Sequence, residues 1–565
     1  MYAICRSGLC SYRLISSLLC LVCLGCLSCL GCDPYEETKL KIMSPSVGQQ
    51  LLPAAPVTVV VRGPADEMGA VMVNGQSALG ERSDGGRQLS QLISPVDGLG
   101  FVTAELPGDP YLVVRSWQQG TFILPDSWYP DTLKLRLGPE ALNGSAGSVA
   151  EIIKRCLLGA ELSAFVEPIQ VDLGITEAVI YIDSAVIRDA EFRLSVMDGA
   201  LSLEVTLKPL ELSYRIESEL LNTSGSGLYE ALRLRASTSL AVSGVELIDP
   251  EVSGADLRAM DNNIPGYLLN PIIDALRDRF VETMSEAISE VTREVTAQLF
   301  AQLRPQLSVA LERPIAQAIE LTAVGVAGEG LELSFMSQLR AATPLLAAPG
   351  QGALFRFPPQ EPDAAEAAAL YVGSPLVNQL AFAAWDAGNF DGLSYSRARL
   401  EQLGLEQLSF PYTQFERADV QLLLPPLLEW DAGGPYLELG GLRADLTIDL
   451  SRDTTLWTAA RIPLRLALVE GALRVERDES RELQTREIML NRLNTLAERS
   501  EALKLVRAAL PGVVYDVFGE LPVISVPPLR VQALTSGSVV TISPQLLAAR
   551  PLTEAWRLEL RLGLD

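Results

Sequence analysis

Hydrophobic and polar residues alternate strictly over three stretches in the first half of the chain. Apolar residues occupy every second position in Phe192 to Val196, in Leu201 to Leu207 and in Leu210 to Ile216. This period of two is typical of β-strands with one dry and one wet face. Asp198-Gly199 predicts a hairpin turn between the first two strands, and Pro209 predicts a bend because proline lacks a backbone donor. We therefore expect a long, curved antiparallel sheet.

A long helical pattern follows this sheet. We expect Asn270 to cap the helix, Pro271 to occupy its first position and Pro305 to end it. Such a helix is roughly 50 Å long and needs an equally long apolar surface, for which the curved sheet is the candidate. Its apolar stripe contains Ile273, Leu276, Phe280, Met284, Ala287, Val291, Val295, Leu299 and Leu303.

The same order of elements recurs after a segment rich in proline, glycine and alanine, 344–369. A helix predicted to be capped by Ser374 is followed by alternating strands and by a second long helix at about 486–510, with Leu493 and Leu496 on its apolar side. The predicted fold class is therefore α+β. It consists of two elongated modules, each a long helix wrapped by a highly twisted antiparallel sheet.

A small all-β sandwich is expected ahead of these modules. Short strand-like runs between about 39 and 139 are separated by turn residues: Val57 to Arg62, Ala70 to Val73, Phe101 to Leu106, Tyr111 to Trp117 and Thr132 to Leu137. Together with Ser44-Pro45 and the turn at Asn74-Gly75, these runs resemble a bacterial immunoglobulin-like module. We expect it to act as a spacer.

Seven of the eight cysteines lie within the first 32 residues. Arg6 and Arg13 precede an almost uncharged stretch from Leu14 to Gly31, and Cys32 follows directly. This segment resembles a bacterial lipoprotein signal, although Cys29 stands where that family usually has leucine. We expect cleavage before Cys32, lipidation of Cys32 and a location in the bacterial cell envelope, facing the periplasm or the cell surface. An uncleaved transmembrane anchor is the alternative.

Composition excludes several functions. A net charge of −25 disfavours binding to nucleic acid and to anionic lipid surfaces. Because the chain has no histidine, it cannot form Ser-His-Asp or Cys-His pairs, HExxH zinc sites or most transition-metal sites. We expect no catalysis, no metal and no cofactor, with a glycosidase that uses two carboxylates as a distant alternative.

The segment Gly373 to Gly388, with Asn378-Gln379 at its centre and Trp385 near its end, resembles a known helix. It is similar to the helix that opens the second barrel of tubular lipid-binding proteins, the superfamily of bactericidal/permeability-increasing protein and the cholesteryl-ester and phospholipid transfer proteins. The resemblance extends in pattern over 147–565. It implies acyl chains held between helix and sheet, with an apolar lining to which we assign Ile273, Leu276, Phe280, Met284, Val291, Leu380, Trp385, Leu493 and Leu496.

The sequence departs from this superfamily in two respects. No basic tips for endotoxin are visible, and the frequent disulfide of the first barrel cannot form because only Cys156 is available there.

Two functions remain open. The first is a lipid-binding or lipid-shuttling envelope lipoprotein, whose partners are an acyl lipid and, through the anchor, a membrane. The second is a structural or adhesive surface lipoprotein with filled cores. The expected organisation is a signal peptide (1–31), the anchor with the sandwich (32–140), a first lipid-binding-like module (147–345) and a second one (352–565).

Overall fold

The computed structural model describes residues 39–109, 112–144, 148–158, 163, 166–174, 176–197, 199–220, 222–254, 256–262, 264–303, 305–308, 311–355, 367–402, 415–448, 452–469, 472–489, 497, 500, 501, 504, 523–525, 529–532, 539–552 and 555–564. Within these residues the chain is mostly β-sheet, with 34 strands and five α-helices. None of the helices in these ranges is both long enough and apolar enough to cross a bilayer. The predicted signal peptide and Cys32 lie outside the described residues.

The first part of the described chain forms a two-sheet sandwich. Its sheets have the strand orders β1-β3-β7-β6 and β2-β9-β8-β4-β5, and they enclose a core that includes Val59, Val102 and Trp117. The predicted turn is present, with Asn74 and Gly75 at φ values of 54° and 74° between β4 and β5. The elements are β1 (Lys41–Ser44), β2 (Gln50–Leu51), β3 (Val57–Arg62), β4 (Met72–Val73), β5 (Gln76–Ser77), β6 (Glu81–Ser83), β7 (Gln88–Ile93), β8 (Gly98–Glu105), β9 (Leu112–Gln119), β10 (Thr121–Ile123), β11 (Tyr129–Leu137) and α1 (Pro139–Asn143).

The next part forms what we call the first sheet, together with one long helix. The order β12-β13-β14-β15-β18 is extended by β16, which also pairs with β14, and by β17, which pairs with β16. The elements are α2 (Val149–Leu158), β12 (Ile169–Asp172), β13 (Glu177–Met197), β14 (Ala200–Ser218), β15 (Asn222–Tyr229), β16 (Leu232–Ala241), β17 (Gly244–Ser253), β18 (Leu257–Asn262) and α3 (Gly266–Gln302).

The bend predicted at Pro209 is confirmed. On one side of β14 the partner strand is β16 up to Leu207, and it becomes β15 from Leu210 onward. The buried positions shift from odd to even numbers at the same point, so both Leu207 and Leu210 face the core. One strand thereby pairs with two different neighbours on the same side, and the change falls at the proline that lacks a ladder donor.

The last part contributes two further sheets. The central sheet has the order β20-β21-β11-β23-β34-β33-β32, and the last sheet has the order β24-β25-β27-β28-β29, with β26 on β27 and β30 on β28. The elements are β19 (Gln306–Ser308), β20 (Ile315–Ala327), β21 (Gly330–Ala341), β22 (Ala353–Phe355), β23 (Ala368–Gly373), α4 (Ser374–Asp386), β24 (Leu393–Ser396), α5 (Arg397–Gln402), β25 (Phe415–Leu422), β26 (Leu427–Asp431), β27 (Gly434–Ile448), β28 (Arg452–Val469), β29 (Ala472–Arg477), β30 (Gln484–Met489), β31 (Val523–Ser525), β32 (Leu529–Gln532), β33 (Val539–Leu552) and β34 (Ala555–Leu564).

The predicted fold class, in which two long helices are each wrapped by a sheet, is wrong. The one long helix in the described part, α3, is not enclosed by a single sheet. It contacts β12 and β17 of the first sheet, β32 of the central sheet and helix α2, and therefore lies between sheets. The second long helix was expected to begin at Arg486, but residues 486–489 belong to β30, which pairs with β28. This pairing satisfies the backbone groups of β28 on that side. Strand pairing of this kind overrides the helical pattern of residues 486–489. Further along the same segment, the described residues 497, 500, 501 and 504 are helical, as expected.

The bounds of α3 also differ from the expected ones. The helix begins at Gly266, where the Leu268 N–H donates to the Pro265 carbonyl at 2.9 Å, so Pro271 lies inside the helix instead of at its start. The helix ends at Gln302, three residues before Pro305.

The sandwich, which was expected to act as a spacer, docks against the last sheet. Phe101 and Trp457 lie in ring contact, with centroids 5.7 Å apart, and the Gln118 side-chain amide donates to the Pro425 carbonyl at 2.9 Å. Strand β10 also pairs with β22. Strand β11, which was expected in the sandwich, instead lies between β21 and β23 of the central sheet. Contacts between segments more than 200 residues apart in the sequence therefore fix the sandwich in place.

Candidate functional site

One continuous apolar core runs through all three sheets outside the sandwich. It joins side chains of α2, α3 and α4 with the dry faces of the first, central and last sheets. The alternating strands predicted from the sequence supply part of it, because every second side chain points to the same face. Leu203, Leu333 and Leu439, one from each sheet, illustrate its extent. This core is the only interior in the described residues to which all three sheets contribute.

Most of the lining residues predicted on α3 face this interior or the smaller core beside it. Phe280, Met284 and Val291 belong to the continuous core, whereas Leu276 belongs to a separate cluster near the start of the helix. Ile273 is only half-buried. Its neighbour Ile272 is fully buried and takes the core position, because the helix presents a slightly different face than the stripe suggested.

Phe280 is fixed by an aromatic neighbour from the first sheet. Its ring stacks on Tyr229 with centroids 5.6 Å apart and an interplanar angle of 13°. Burial raises the pKa of the Tyr229 hydroxyl well above its usual range, so the phenol stays neutral. The hydroxyl donates to the Leu276 carbonyl at 3.5 Å. This part of the interior is therefore packed and rigid.

The two predicted lining residues of α4 are also buried, but polar contacts hold their helix in place. The Trp385 indole N–H donates to the Leu422 carbonyl at 2.9 Å, and Leu380 packs into the continuous core. The predicted cap Ser374 is the first helical residue instead, and its buried hydroxyl has no hydrogen-bond partner among the described residues. Leu493 and Leu496 lie outside the described residues.

Two edge regions form an apolar seam that the sequence analysis missed. Strand β16 of the first sheet lies beside β20 of the central sheet, and the two sheets share no hydrogen-bonded ladder in the described residues. Six aliphatic side chains on β16, β17 and β20 pack against the continuous core while they remain partly accessible to solvent. These residues, which define the seam, are Leu240, Leu247, Val252, Leu321, Val324 and Val326.

A signal for the seam is present in the sequence. The apolar spacing changes from two to three between Leu321 and Val324, where the register of β20 against β21 shifts at a β-bulge. Bulges bend an edge strand and change which side chains it presents. A strict search for period two passes over such a strand.

Other chemistry is sparse in the described part of the chain. No three Cys, Asp or Glu side chains there gather closely enough to hold a metal ion. Burial raises the pKa of the Cys156 thiol to about 11, so this thiol is protonated at neutral pH and acts as a small apolar side chain.

No family model matches the sequence, and no curated protein sequence matches it. Among solved structures, the fold is similar to a lipopolysaccharide binding protein at 12% identity and a TM-score of 0.39, covering 77% of this chain and 99% of that one. It is also similar to P47 of Clostridium botulinum E1 at 8% identity and a TM-score of 0.25, covering 77% of this chain and 99% of that one. Similarity at these scores establishes no shared function.

Proposed function

We propose that this chain is a lipid-binding lipoprotein of the bacterial envelope, anchored through Cys32, which holds or passes on an acyl lipid without catalysis. The seam is the observation that supports this proposal. Partly exposed aliphatic side chains border the continuous core at a place where two sheets meet without a hydrogen-bonded ladder in the described part of the chain.

The seam is a suitable entry for lipid because little free energy is needed to part its two strands. Separating paired strands breaks a ladder of hydrogen bonds, whereas parting β16 from β20 breaks no such ladder among the described residues. An acyl chain that enters there replaces the contacts between these strands and also covers aliphatic surface that now faces water. Each methylene buried in this way is stabilised by about 0.8 kcal/mol, so two chains of about 16 carbons gain on the order of 25 kcal/mol in total.

The test begins with protein purified from membranes in mild detergent and then exposed to phospholipid vesicles. Organic extraction followed by mass spectrometry measures bound lipid. Val324→Asp places a charge in the seam, and Leu79→Asp is the matched control because Leu79 is 92% exposed on the sandwich. We expect stoichiometric lipid on the wild type and on the control, and a loss of several-fold for Val324→Asp at an unchanged melting temperature.

If the wild type never carries lipid from any source, the proposal is overturned and the interior is filled. The protein is then a structural or adhesive lipoprotein. The anchor has its own test, because Cys32→Ser is expected to release the protein from membranes. Retention of this variant in the membrane fraction would instead favour an uncleaved transmembrane segment.

A further inference from the structure

A polar cleft of about 660 Å³ lies where α1 and α2 meet the first sheet. Strands β13, β14 and β16 form its other wall. Four basic side chains, Lys154, Arg193, Lys208 and Arg233, line it together with three acidic ones. This local excess of basic residues is opposite to the balance of the whole chain, which has 45 basic and 70 acidic residues.

Ion pairs use two of these four cations. Lys154 contacts Asp189 at 2.9 Å and Lys208 contacts Glu191 at 3.4 Å. The two other acidic residues of the lining pair with arginines outside the cleft: Glu151 with Arg155, and Glu204 with Arg235. Arg193 and Arg233 therefore remain as the cations of the cleft that have no carboxylate partner among the described residues.

The sheet register places Arg193 and Arg233 on the same face, on either side of β14. Arg193 on β13 is opposite Glu204 of β14, and Arg233 on β16 is opposite Thr206 of β14. The backbones of the two arginines are therefore two strand spacings apart across the sheet and two residues apart along it. The two backbones are therefore about 12 Å apart. Two arginine side chains are long enough to reach toward each other over this distance and contact one anion between them. Two side chains of β14 lie between them: Thr206, which is nine-tenths buried and adds a hydroxyl to the cleft, and Glu204, whose carboxylate pairs with Arg235.

The cleft also borders the apolar interior. Phe192 lines the cleft and packs against the continuous core, and the fully buried Ala190 lies two residues before it on β13. The N-terminal end of α2 faces the same space through Ala150, which adds the positive end of the helix dipole. The two guanidinium groups thus lie on the wet face of the first sheet, whereas Phe192, the neighbour of Arg193 on β13, points to the opposite face, which belongs to the core.

We infer that this cleft binds a phosphate group, held by the guanidinium groups of Arg193 and Arg233. A phosphate offers several acceptor oxygens to these forked donors, and charge-assisted bonds of this kind are stronger than neutral ones. The group belongs either to a phospholipid headgroup or to a free phosphate compound. The lipid case rests on the function proposed above, whereas the phosphate site itself does not.

The test uses the full-length lipidated protein in detergent and isothermal titration with two probes, inorganic phosphate and dihexanoyl phosphatidic acid. Arg193→Gln combined with Arg233→Gln removes both free guanidinium groups. Arg188→Gln is the matched control, because Arg188 lies on the same strand but is paired with Glu211 at 2.9 Å outside the cleft.

We expect the double variant to bind phosphatidic acid at least tenfold more weakly than the wild type and the control, with a smaller dependence on salt. If the double variant also binds inorganic phosphate more weakly than the wild type, the cleft recognises the phosphate group itself and does not require a lipid. Equal binding of both probes by the wild type and the double variant, or binding of neither probe by the wild type, would overturn the inference. If organic extraction recovers as much lipid from the double variant as from the wild type, the cleft does not take part in lipid binding. The function proposed above would then still stand.

Discussion

The side-chain amide of Asn378 exchanges two hydrogen bonds with the backbone of Leu428. The Leu428 N–H donates to the Asn378 Oδ1 at 2.6 Å, and the Asn378 Nδ2 donates to the Leu428 carbonyl at 3.3 Å. Asn378 is 1% exposed and Leu428 is fully buried. Helix α4 thereby supplies the missing partner for the start of strand β26, so this polar residue fixes the helix against the last sheet.

Replacement of Asn378 by alanine leaves two backbone groups of Leu428 buried without a partner. Each such group costs about 1–3 kcal/mol, so we expect a loss of roughly 2–5 kcal/mol in the free energy of unfolding. Urea denaturation followed by circular dichroism measures this loss. Asn222→Ala serves as a control, because Asn222 is exposed on β15 and its replacement should change stability by less than about 0.5 kcal/mol. Similar losses for the two variants would show that the amide does not bridge helix and strand.

The register of α3 leads to a second prediction. Ile272 is fully buried and its neighbour Ile273 is half-buried, although the apolar stripe in the sequence favours Ile273. We expect Ile272→Ala to cost about 2–5 kcal/mol in unfolding free energy, as other buried isoleucines do, and Ile273→Ala to cost clearly less. The two variants change the same side chain in the same helix and so serve as controls for each other. A larger loss at Ile273 would contradict the observed rotation of the helix.

The α3 example shows how far the sequence can define a helix. Period and length identify the element, and its end is predicted to within three residues at Gln302. The start of the helix is predicted less well. The pattern treats Pro271 as a first-turn residue, whereas the helix extends upstream to Gly266. A stripe with a mean step of about 3.75 residues rotates slowly around the helix, so its outer members cannot be assigned to one face without the packing partners.

Strands were predicted more reliably than their arrangement. The alternation around Leu203 and Leu212 and the bend at Pro209 follow from local chemistry. The position of β11 in the central sheet does not follow from local chemistry, because its partners β21 and β23 come from residues about 200 positions later in the chain. For the same reason the seam, which depends on two strands from different sheets, was missed even though its β20 residues carry a bulge signal.

Docking of the sandwich gives a third prediction. Trp457 is buried in a small cluster with Val114, and Phe101 packs against both. We expect Trp457→Ala to remove most of this contact, so that the sandwich unfolds separately from the other sheets and differential scanning calorimetry shows two transitions instead of one. Leu92→Ala, at a residue 68% exposed on the sandwich, should leave a single transition. A single unchanged transition for Trp457→Ala would mean that the polar contacts alone couple the two parts.

The buried thiol of Cys156 leads to a prediction about pH. Burial raises its pKa from 9.0 to about 11, so the folded state keeps its proton at a pH at which the unfolded state has lost it. The stabilising contribution is therefore fully present below about pH 9 and is lost as the pH rises toward 11. We expect the wild type to lose roughly 2 kcal/mol more unfolding free energy than Cys156→Ala between these limits, as measured by urea denaturation at several pH values. Buried tyrosines such as Tyr129 and Tyr229 contribute equally to both proteins, so they cancel in the comparison. Parallel pH profiles of the two proteins would place the thiol in contact with water.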